Sequence, residues 1–250
     1  MKKVWKIVLV ISLLCNLGII YVAQKALEYR GHINEWLDKY VNVVEEFSGR
    51  QYYRIDNERL KSDTTVPNRV VLFGTQLIRN YDFQPSFPEY EVVNRGIPGQ
   101  RAAGMLLRFR PDVIDLAPSA VVLEISSYNL RLPQSLEEIQ DYFISMVDLA
   151  RENNITPIAL TMLPIMADSA FVFENDAYKI ADSIEAYNAW LTDYCTRNKV
   201  LLVDAFAPLV DSRGFFDVRY ARDAINPNRA GYDIIANQLR SNLEQIYRAR

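Results

Sequence analysis

From Arg69 to the carboxyl end, short and almost continuous apolar runs alternate with amphipathic stretches. Such runs, rich in β-branched residues, are typical of strands that are buried on both faces of a parallel sheet. The pattern predicts five strands, at residues 69–73, 91–94, 120–125, 157–161 and 200–203. A capping box of Ser135 and Glu138 begins the first of the predicted amphipathic helices, which cover about residues 135–153, 176–197 and 228–247. This alternation predicts an α/β fold, a three-layer α/β/α doubly wound domain with a five-stranded, mostly parallel sheet.

The amino end has a different pattern, because residues 7–23 carry no charge and follow three lysines, Lys2, Lys3 and Lys6. Residues 4–23 are long enough to cross a membrane, so residues 1–23 are predicted to be an uncleaved signal anchor. A cleaved signal peptide is the alternative, but large residues, Tyr21 and Gln24, stand where a cleavage site needs small ones. The lysines predict an amino terminus in the cytoplasm. The remainder of the chain then lies outside the inner membrane, in the periplasm or the extracellular space.

A helical segment follows the predicted anchor, and residues 24–63 are assigned to a stalk or linker before a domain at residues 64–250. Apolar residues recur in it at spacings of four and three and form a seam of Ile33, Leu37, Tyr40, Val44 and Phe47. Two heptads are short for an independent coiled coil. The helix either packs on its own domain or pairs with a second copy as a dimerising stalk.

Composition narrows the classes of function. The chain has 250 residues, of which 50% are hydrophobic and 24% charged, which excludes a wholly disordered or fibrous protein. Its net charge of −3 argues against nucleic acid as the main partner, since phosphate binding needs a basic excess. The sequence contains one histidine, His32, and two cysteines, of which Cys195 is predicted to be a buried apolar thiol.

Four segments at predicted strand ends resemble, in order, the sequence blocks of the SGNH or GDSL-like esterases and acetylhydrolases. They are Val70–Ile78 (VVLFGTQLI), Val93–Gln100 (VNRGIPGQ), Val121–Leu130 (VVLEISSYNL) and Asp223–Tyr232 (DAINPNRAGY). The resemblance implies the family's chemistry, in which a serine attacks an ester, a histidine takes its proton and an aspartate orients the histidine. Backbone N–H groups and an asparagine side chain hold the oxyanion.

The resemblance places most of that machinery on residues of the wrong chemistry. The nucleophile falls on Gln76 and the base on Asn226, and a carboxamide neither loses nor accepts a proton near neutral pH. The oxyanion asparagine falls on Tyr128, and the glycine before it on Ser126, whereas Gly96 and Asp223 keep the family's residue types. This set of six residues is therefore a vestigial site, and no residue is predicted to be catalytically active.

Other residues offer little to replace the lost chemistry. Thr75, Ser126 and Ser127 carry hydroxyls without a nearby base, and the Asp223 carboxylate is too weak to deprotonate an alcohol. Glu124, within a buried strand, is interpreted as a structural partner of Arg95 or Arg131. The carboxylates Asp168, Glu174 and Asp176 are typical of a solvated loop, so neither a metal site nor a cofactor is predicted.

These features favour a membrane-anchored, extracytoplasmic pseudoenzyme that serves as a binding or scaffold subunit of an envelope complex, with a protein partner. Its crevice either recognises a sugar or an amide or is merely filled by its own side chains. Two aromatic loops, residues 83–90 (FQPSFPEY) and 213–216 (RGFF), are candidate exposed partner surfaces. The alternatives are an esterase or acyl transferase that acts on an envelope glycan or lipid with a non-standard site, and a structural oligomer joined by the stalk.

Overall fold

A computed structural model describes residues 2–61, 68–131, 135–167 and 177–248, except the side chains of residues 2, 38–46, 131, 247 and 248. The chain forms two compact units, Met1–Glu46 and Phe47–Arg250. Helix α1 (Lys2–Ser48) makes up the first unit and ends in the second, which therefore includes Phe47, the last residue of the predicted seam.

The predicted anchor and the first part of the predicted stalk lie in this one continuous helix. Its segment Lys3–Leu37 is long and apolar enough to cross a membrane by length and composition, criteria that a signal sequence also meets. The seam residues Ile33 and Leu37 have exposed side chains, whereas those of Tyr40 and Val44 lie outside the described ones. Pairing of the seam with another helix stays a prediction.

The second unit contains a five-stranded sheet in which every neighbouring pair of strands is parallel. The strands are β1 (Arg69–Gly74), β2 (Glu91–Gly96), β3 (Ala120–Glu124), β4 (Thr156–Leu160) and β5 (Leu201–Val203). Their spatial order is β2-β1-β3-β4-β5, and Val70 of β1 pairs with Val92 on one side and Ala120 on the other. The predicted α/β fold is confirmed, and each predicted strand is found within two residues of its expected bounds.

Helices cover both faces of the sheet. They are α2 (Arg54–Lys61), α3 (Gln76–Arg79), α4 (Ala102–Asp112), α5 (Leu136–Glu152), α6 (Ala177–Asn198) and α7 (Arg229–Arg248). The capping box of Ser135 and Glu138 is present at the start of α5. Successive residues of β1 point to opposite faces: Val71 and Phe73 pack with α4, α5 and α6, and Val70 and Leu72 pack with α3 and α7.

Helix α2 lies in the second unit, although its residues fall within the predicted stalk at residues 24–63. The Asn57 side chain donates to Asp112 Oδ1 at 2.6 Å and accepts from Arg95 Nε at 2.9 Å, and it is buried. These contacts are polar, so the periodicity of apolar residues does not report them. The buried Asn57 amide thus links α2 to the rest of the unit through hydrogen bonds with two charged side chains.

The phenylalanine side chains of the two aromatic loops are buried, contrary to the prediction of exposed aromatic surfaces. Phe83 and Phe87 are at most 2% exposed, and Phe83 meets the ring of Tyr232 on α7 edge to face at 6.0 Å. Phe215 and Phe216 are equally buried and belong to the cores on opposite faces of the sheet. Aromatic side chains contribute large apolar areas to a protein core when other elements cover them, and neighbouring elements cover these four side chains.

A buried arginine joins the ends of two strands. Arg108 Nη2 donates to the carbonyl of Gly74 and Nη1 to that of Arg95, each at 3.0 Å. Its guanidinium pairs with Asp112 Oδ2 at 2.8 Å and lies 4.2 Å from the centre of the Phe73 ring. Arg108 and Asp112 are both fully buried, so each charge depends on the other.

Arg108→Leu is expected to lower the free energy of unfolding by about 3–5 kcal/mol, because the substitution leaves the Asp112 carboxylate buried without its counter-charge. Arg110→Leu on the same helix is the matched control, since that side chain is 68% exposed and its loss costs less than about 1 kcal/mol. Urea unfolding of both variants in mild detergent measures the difference. Equal effects of the two substitutions would contradict the role assigned to Arg108.

Candidate functional site

A cleft of about 220 Å³ opens at the carboxyl ends of β1 and β3. The chain runs from β1 to β2 on one side and returns to β3 on the other, so the loops after β1 and β3 diverge. Open parallel sheets bind ligands at this switch point. The described residues that line the cleft are Thr75, Gln76, Leu77, Gly99, Glu124, Ser126, Ser127, Tyr128, Leu163, Ile225 and Asn226.

The structure brings four of the six predicted site residues to this cleft, namely Gln76, Ser126, Tyr128 and Asn226. Gln76 begins α3 one residue beyond the end of β1, after Thr75, and Ser126 and Tyr128 follow β3. Asn226 reaches the cleft from the loop before α7. The three loops come from distant parts of the sequence, and the parallel sheet sets their ends side by side.

The two glycines of the second block have different places. Gly96 does not line the cleft: its N–H donates to Asn94 Oδ1 at 3.0 Å, and its carbonyl accepts from the Tyr53 hydroxyl at 2.6 Å. Gly99 lines the cleft with a φ of +70°, a backbone conformation that favours glycine. Of these two glycines, only Gly99 is among the described residues that line the cleft, a position that the short Ile97-Pro98-Gly99 turn could have indicated, and the role implied for Gly96 stays a prediction.

Glu124 holds the loop after β1 in place. Its carboxylate accepts from the Thr75 backbone N–H at 2.6 Å and from the Thr75 hydroxyl at 3.2 Å. The carboxylate also lies against Gly74, where any larger residue would bring its Cβ into a steric clash. Only a glycine therefore fits at the end of β1. The hydrogen bonds between Glu124 and Thr75 fix the position of the next residue, Gln76.

The predicted partners of Glu124 are not the observed ones. Arg95 pairs instead with Asp56, Nη2 to Oδ2 at 2.8 Å, and the side chain of Arg131 lies outside the described ones. Burial raises the pKa of Glu124 to about 7, although the hydrogen bonds from Thr75 lower it in part. A buried carboxyl that has no cation partner among the described side chains is costly to ionise, which explains the direction of the shift.

Asp223 contacts Asn226 as the family's aspartate would contact a histidine. Asn226 Nδ2 donates to Asp223 Oδ1 at 2.7 Å, and the Asn226 backbone N–H donates to the same oxygen at 2.9 Å. Burial raises the pKa of Asp223, but hydrogen bonds from Asn226, Ile225 and Arg222 outweigh it, and the pKa lies below its usual value. Asp223 is thus ionised at neutral pH, accepts hydrogen bonds and is a weak base.

The remaining candidate side chains lie elsewhere in the chain. His32 is exposed on α1, with Nδ1 3.7 Å from the carboxylate of Glu35. Cys195 is buried as predicted, and burial raises the pKa of its thiol to about 12, so the thiol is protonated and poorly nucleophilic at neutral pH. Cys195 is not among the described residues that line the cleft.

The carboxylates considered as metal ligands, Asp168, Glu174 and Asp176, lie outside the described residues. Within residues 2–61, 68–131, 135–167 and 177–248, no group of three or more histidine, cysteine or acidic side chains is placed to hold a metal ion.

Comparison with known proteins agrees with this geometry. Residues 63–234 match the model of the GDSL-like lipase/acylhydrolase family, which is more than half of the chain. The chain belongs to this family. A search of curated proteins finds no significant match.

Solved structures of lipases and acylhydrolases share the fold. A GDSL-like lipase from Bacteroides thetaiotaomicron VPI-5482 is similar with a TM-score of 0.71 and 26% identity, over 80% of this chain and 98% of that one. A protein assigned as an acylhydrolase from Bacteroides fragilis NCTC 9343 has a TM-score of 0.69 and 27% identity, over 79% and 97%. A lipase/acylhydrolase from Enterococcus faecalis, at 16% identity and a TM-score of 0.58 over 71% and 96%, shares the fold alone.

Glu124→Gln is expected to remove a pH-dependent loss of stability. The folded-state pKa of Glu124, about 7, exceeds its unfolded value of 4.5, so the folded state holds the proton more tightly and stability falls as pH rises between these values. From pH 5 to pH 8 the free energy of unfolding of the variant should gain roughly 2–3 kcal/mol relative to the unsubstituted chain. Glutamine can still accept from the Thr75 N–H and donate to its hydroxyl.

Urea unfolding of the full chain in mild detergent at the two pH values measures this difference. Glu137→Gln, a change at an exposed helix position, is the control and should follow the unsubstituted chain. If the difference between Glu124→Gln and the unsubstituted chain were the same at both pH values, the raised pKa would be refuted.

Proposed function

We propose that this chain is a membrane-anchored, non-hydrolytic member of the GDSL family that serves as a binding or scaffold subunit of an envelope complex. One observation carries the proposal: the two cleft positions that the resemblance gives to nucleophile and base hold carboxamides, Gln76 and Asn226. Loss of either the serine or the histidine of such a triad costs about 10⁶-fold in rate. Both are missing here.

Among the described residues, neither Thr75 nor Asp223 restores a nucleophile with its base. The Thr75 hydroxyl bonds the Glu124 carboxyl at 3.2 Å, but Thr75 is 1% exposed, so a substrate has little access to it. Asp223 bonds an amide rather than an imidazole, and its low pKa makes it a poor proton acceptor. The cleft therefore keeps the shape of a hydrolase site without its proton transfer.

The amino end supports the proposed location. The apolar part of α1 is long enough to span a membrane, and Lys2, Lys3 and Lys6 precede it. We place the amino terminus in the cytoplasm, the helix uncleaved in the inner membrane, and the second unit on the outer side. A tethered domain meets envelope components at high local concentration, which suits a binding or scaffold role.

The full chain in mild detergent is expected to stay unlabelled by a serine-reactive fluorophosphonate and to turn over p-nitrophenyl acetate no faster than buffer. An active serine esterase, labelled in the same tube, controls for the reagent. Stoichiometric labelling, or a burst of p-nitrophenol, would overturn the proposal and favour an esterase or acyl transferase with a non-standard site.

The double substitution Gln76→Ser with Asn226→His is expected to create fluorophosphonate labelling, because the imidazole can then donate to Asp223 from the position where the amide now does, at 2.7 Å. Hydrolysis of p-nitrophenyl acetate should rise at least about 100-fold above either single variant, since the two groups act as a unit. A folded double variant without labelling would show that more than these two side chains separates the cleft from a working site.

A further inference from the structure

The cleft contains hydrogen-bonding groups that the described chain leaves unused. Asp223 is ionised and only accepts, so the Asn226 amide must turn its Nδ2 toward it and its Oδ1 away. Asn226 is 3% exposed, and among the described residues nothing donates to this Oδ1. A buried amide oxygen without a donor is unfavourable, so the site favours a ligand that brings an N–H or O–H.

Gln76 offers the complementary group. Its carboxamide lines the cleft, is half-buried, and makes no hydrogen bond to the described part of the chain. Its Nε2 is thus free to donate to a carbonyl and its Oε1 free to accept. Together, Asn226 and Gln76 match a ligand group that both donates and accepts, as an amide does.

The charge of the cleft selects against anions. None of the described lining residues is basic, and Glu124 is acidic and 3% exposed. A carboxylate or phosphate would enter beside a carboxyl group with no cation to offset its loss of hydration. An uncharged ligand meets no such cost.

The apolar side chains that line the cleft favour a ligand with a small apolar group. Leu77, Leu163 and Ile225 line the cleft beside the polar groups. The volume of about 220 Å³ is below the range of drug-sized pockets and suits one compact chemical group. A methyl next to an amide would meet these side chains while the amide meets the carboxamides.

We propose that the cleft binds the acetamido group of an uncharged N-acetylated glycan. The acetamido group combines one donor, one acceptor, one methyl and no charge, which are the four features that the lining residues call for. This inference rests on the proposed non-hydrolytic function, and the extracytoplasmic location would bring the cleft to envelope glycans. A glycan with hydroxyls alone lacks both the carbonyl for Gln76 and the methyl for the apolar wall.

Calorimetric titration of the full chain in mild detergent with two disaccharides tests the proposal. N,N′-diacetylchitobiose carries acetamido groups where cellobiose carries hydroxyls, so the pair isolates that group. We expect at least about tenfold tighter binding of diacetylchitobiose, with the largest saturation-transfer NMR signal at its acetyl methyl. Equal binding of the two sugars, or no binding of diacetylchitobiose up to about 10 mM, would overturn the proposal.

Substitutions locate the ligand. Gln76→Leu keeps the size of the side chain and removes its hydrogen bonds, so it should weaken diacetylchitobiose binding at least about tenfold. Gln51→Leu, at an exposed carboxamide, is the matched control and should bind as the unsubstituted chain does. Asn226→Ala should weaken binding as well. An unchanged affinity in both cleft variants would exclude this site.

The esterase assay separates this proposal from the proposed function. A chain that neither hydrolyses p-nitrophenyl acetate nor binds diacetylchitobiose overturns the ligand assignment and leaves the non-hydrolytic function standing. A chain that hydrolyses the ester overturns both.

Discussion

The end of the sheet depends on one buried guanidinium. Arg108 donates to the carbonyls of Gly74 and Arg95, the end of β1 and the penultimate residue of β2, and its charge is balanced by Asp112. Because neither charge reaches solvent, a shift of either strand end would leave a buried ion without its partners. The same network fastens α2, since Asn57 bonds Asp112. The chain segment that leads to Gln76 therefore starts at Gly74, which is fixed by the charged side chain of Arg108 outside the cleft.

Glu124 holds the next peptide group from the other side. The Arg108 guanidinium on α4 donates to the carbonyl of Gly74, and the Glu124 carboxyl group on β3 accepts from the N–H of Thr75, so two consecutive residues are bound from two sides. Rigid placement of this kind serves catalysis when a reactive side chain follows. It also serves binding, because a site that is already ordered loses little entropy when a ligand arrives. In this chain the side chain that follows is an amide.

Under the proposed function, this chain keeps the GDSL-like frame without its reactive groups. The frame needs a parallel sheet, a glycine beside Glu124 and a loop that brings Asn226 to Asp223, all of which are present. Hydrolysis needs in addition a group that gives up a proton and one that takes it, and amides do neither. Carboxamides stay neutral and polar across the physiological pH range, which suits recognition of an uncharged ligand by hydrogen bonds.

The amino-acid pattern alone determined the order and type of most elements. Strands that are buried on both faces are apolar along most of their length, so the sequence predicts them. The capping box of α5 involves residues close in sequence, so the sequence predicts it as well. Helix α4 escaped prediction because its buried face includes two charged residues, Arg108 and Asp112, which pair with each other. Their further hydrogen-bond partners, Gly74 and Asn57, lie in other elements.

Only the tertiary structure decided which surfaces meet. It buried Phe83 under α7, placed Gly99 at the cleft, and paired Glu124 with Thr75 instead of Arg95. Burial and hydrogen bonding across long sequence separations depend on how elements pack together, and no local pattern of residue types encodes that packing.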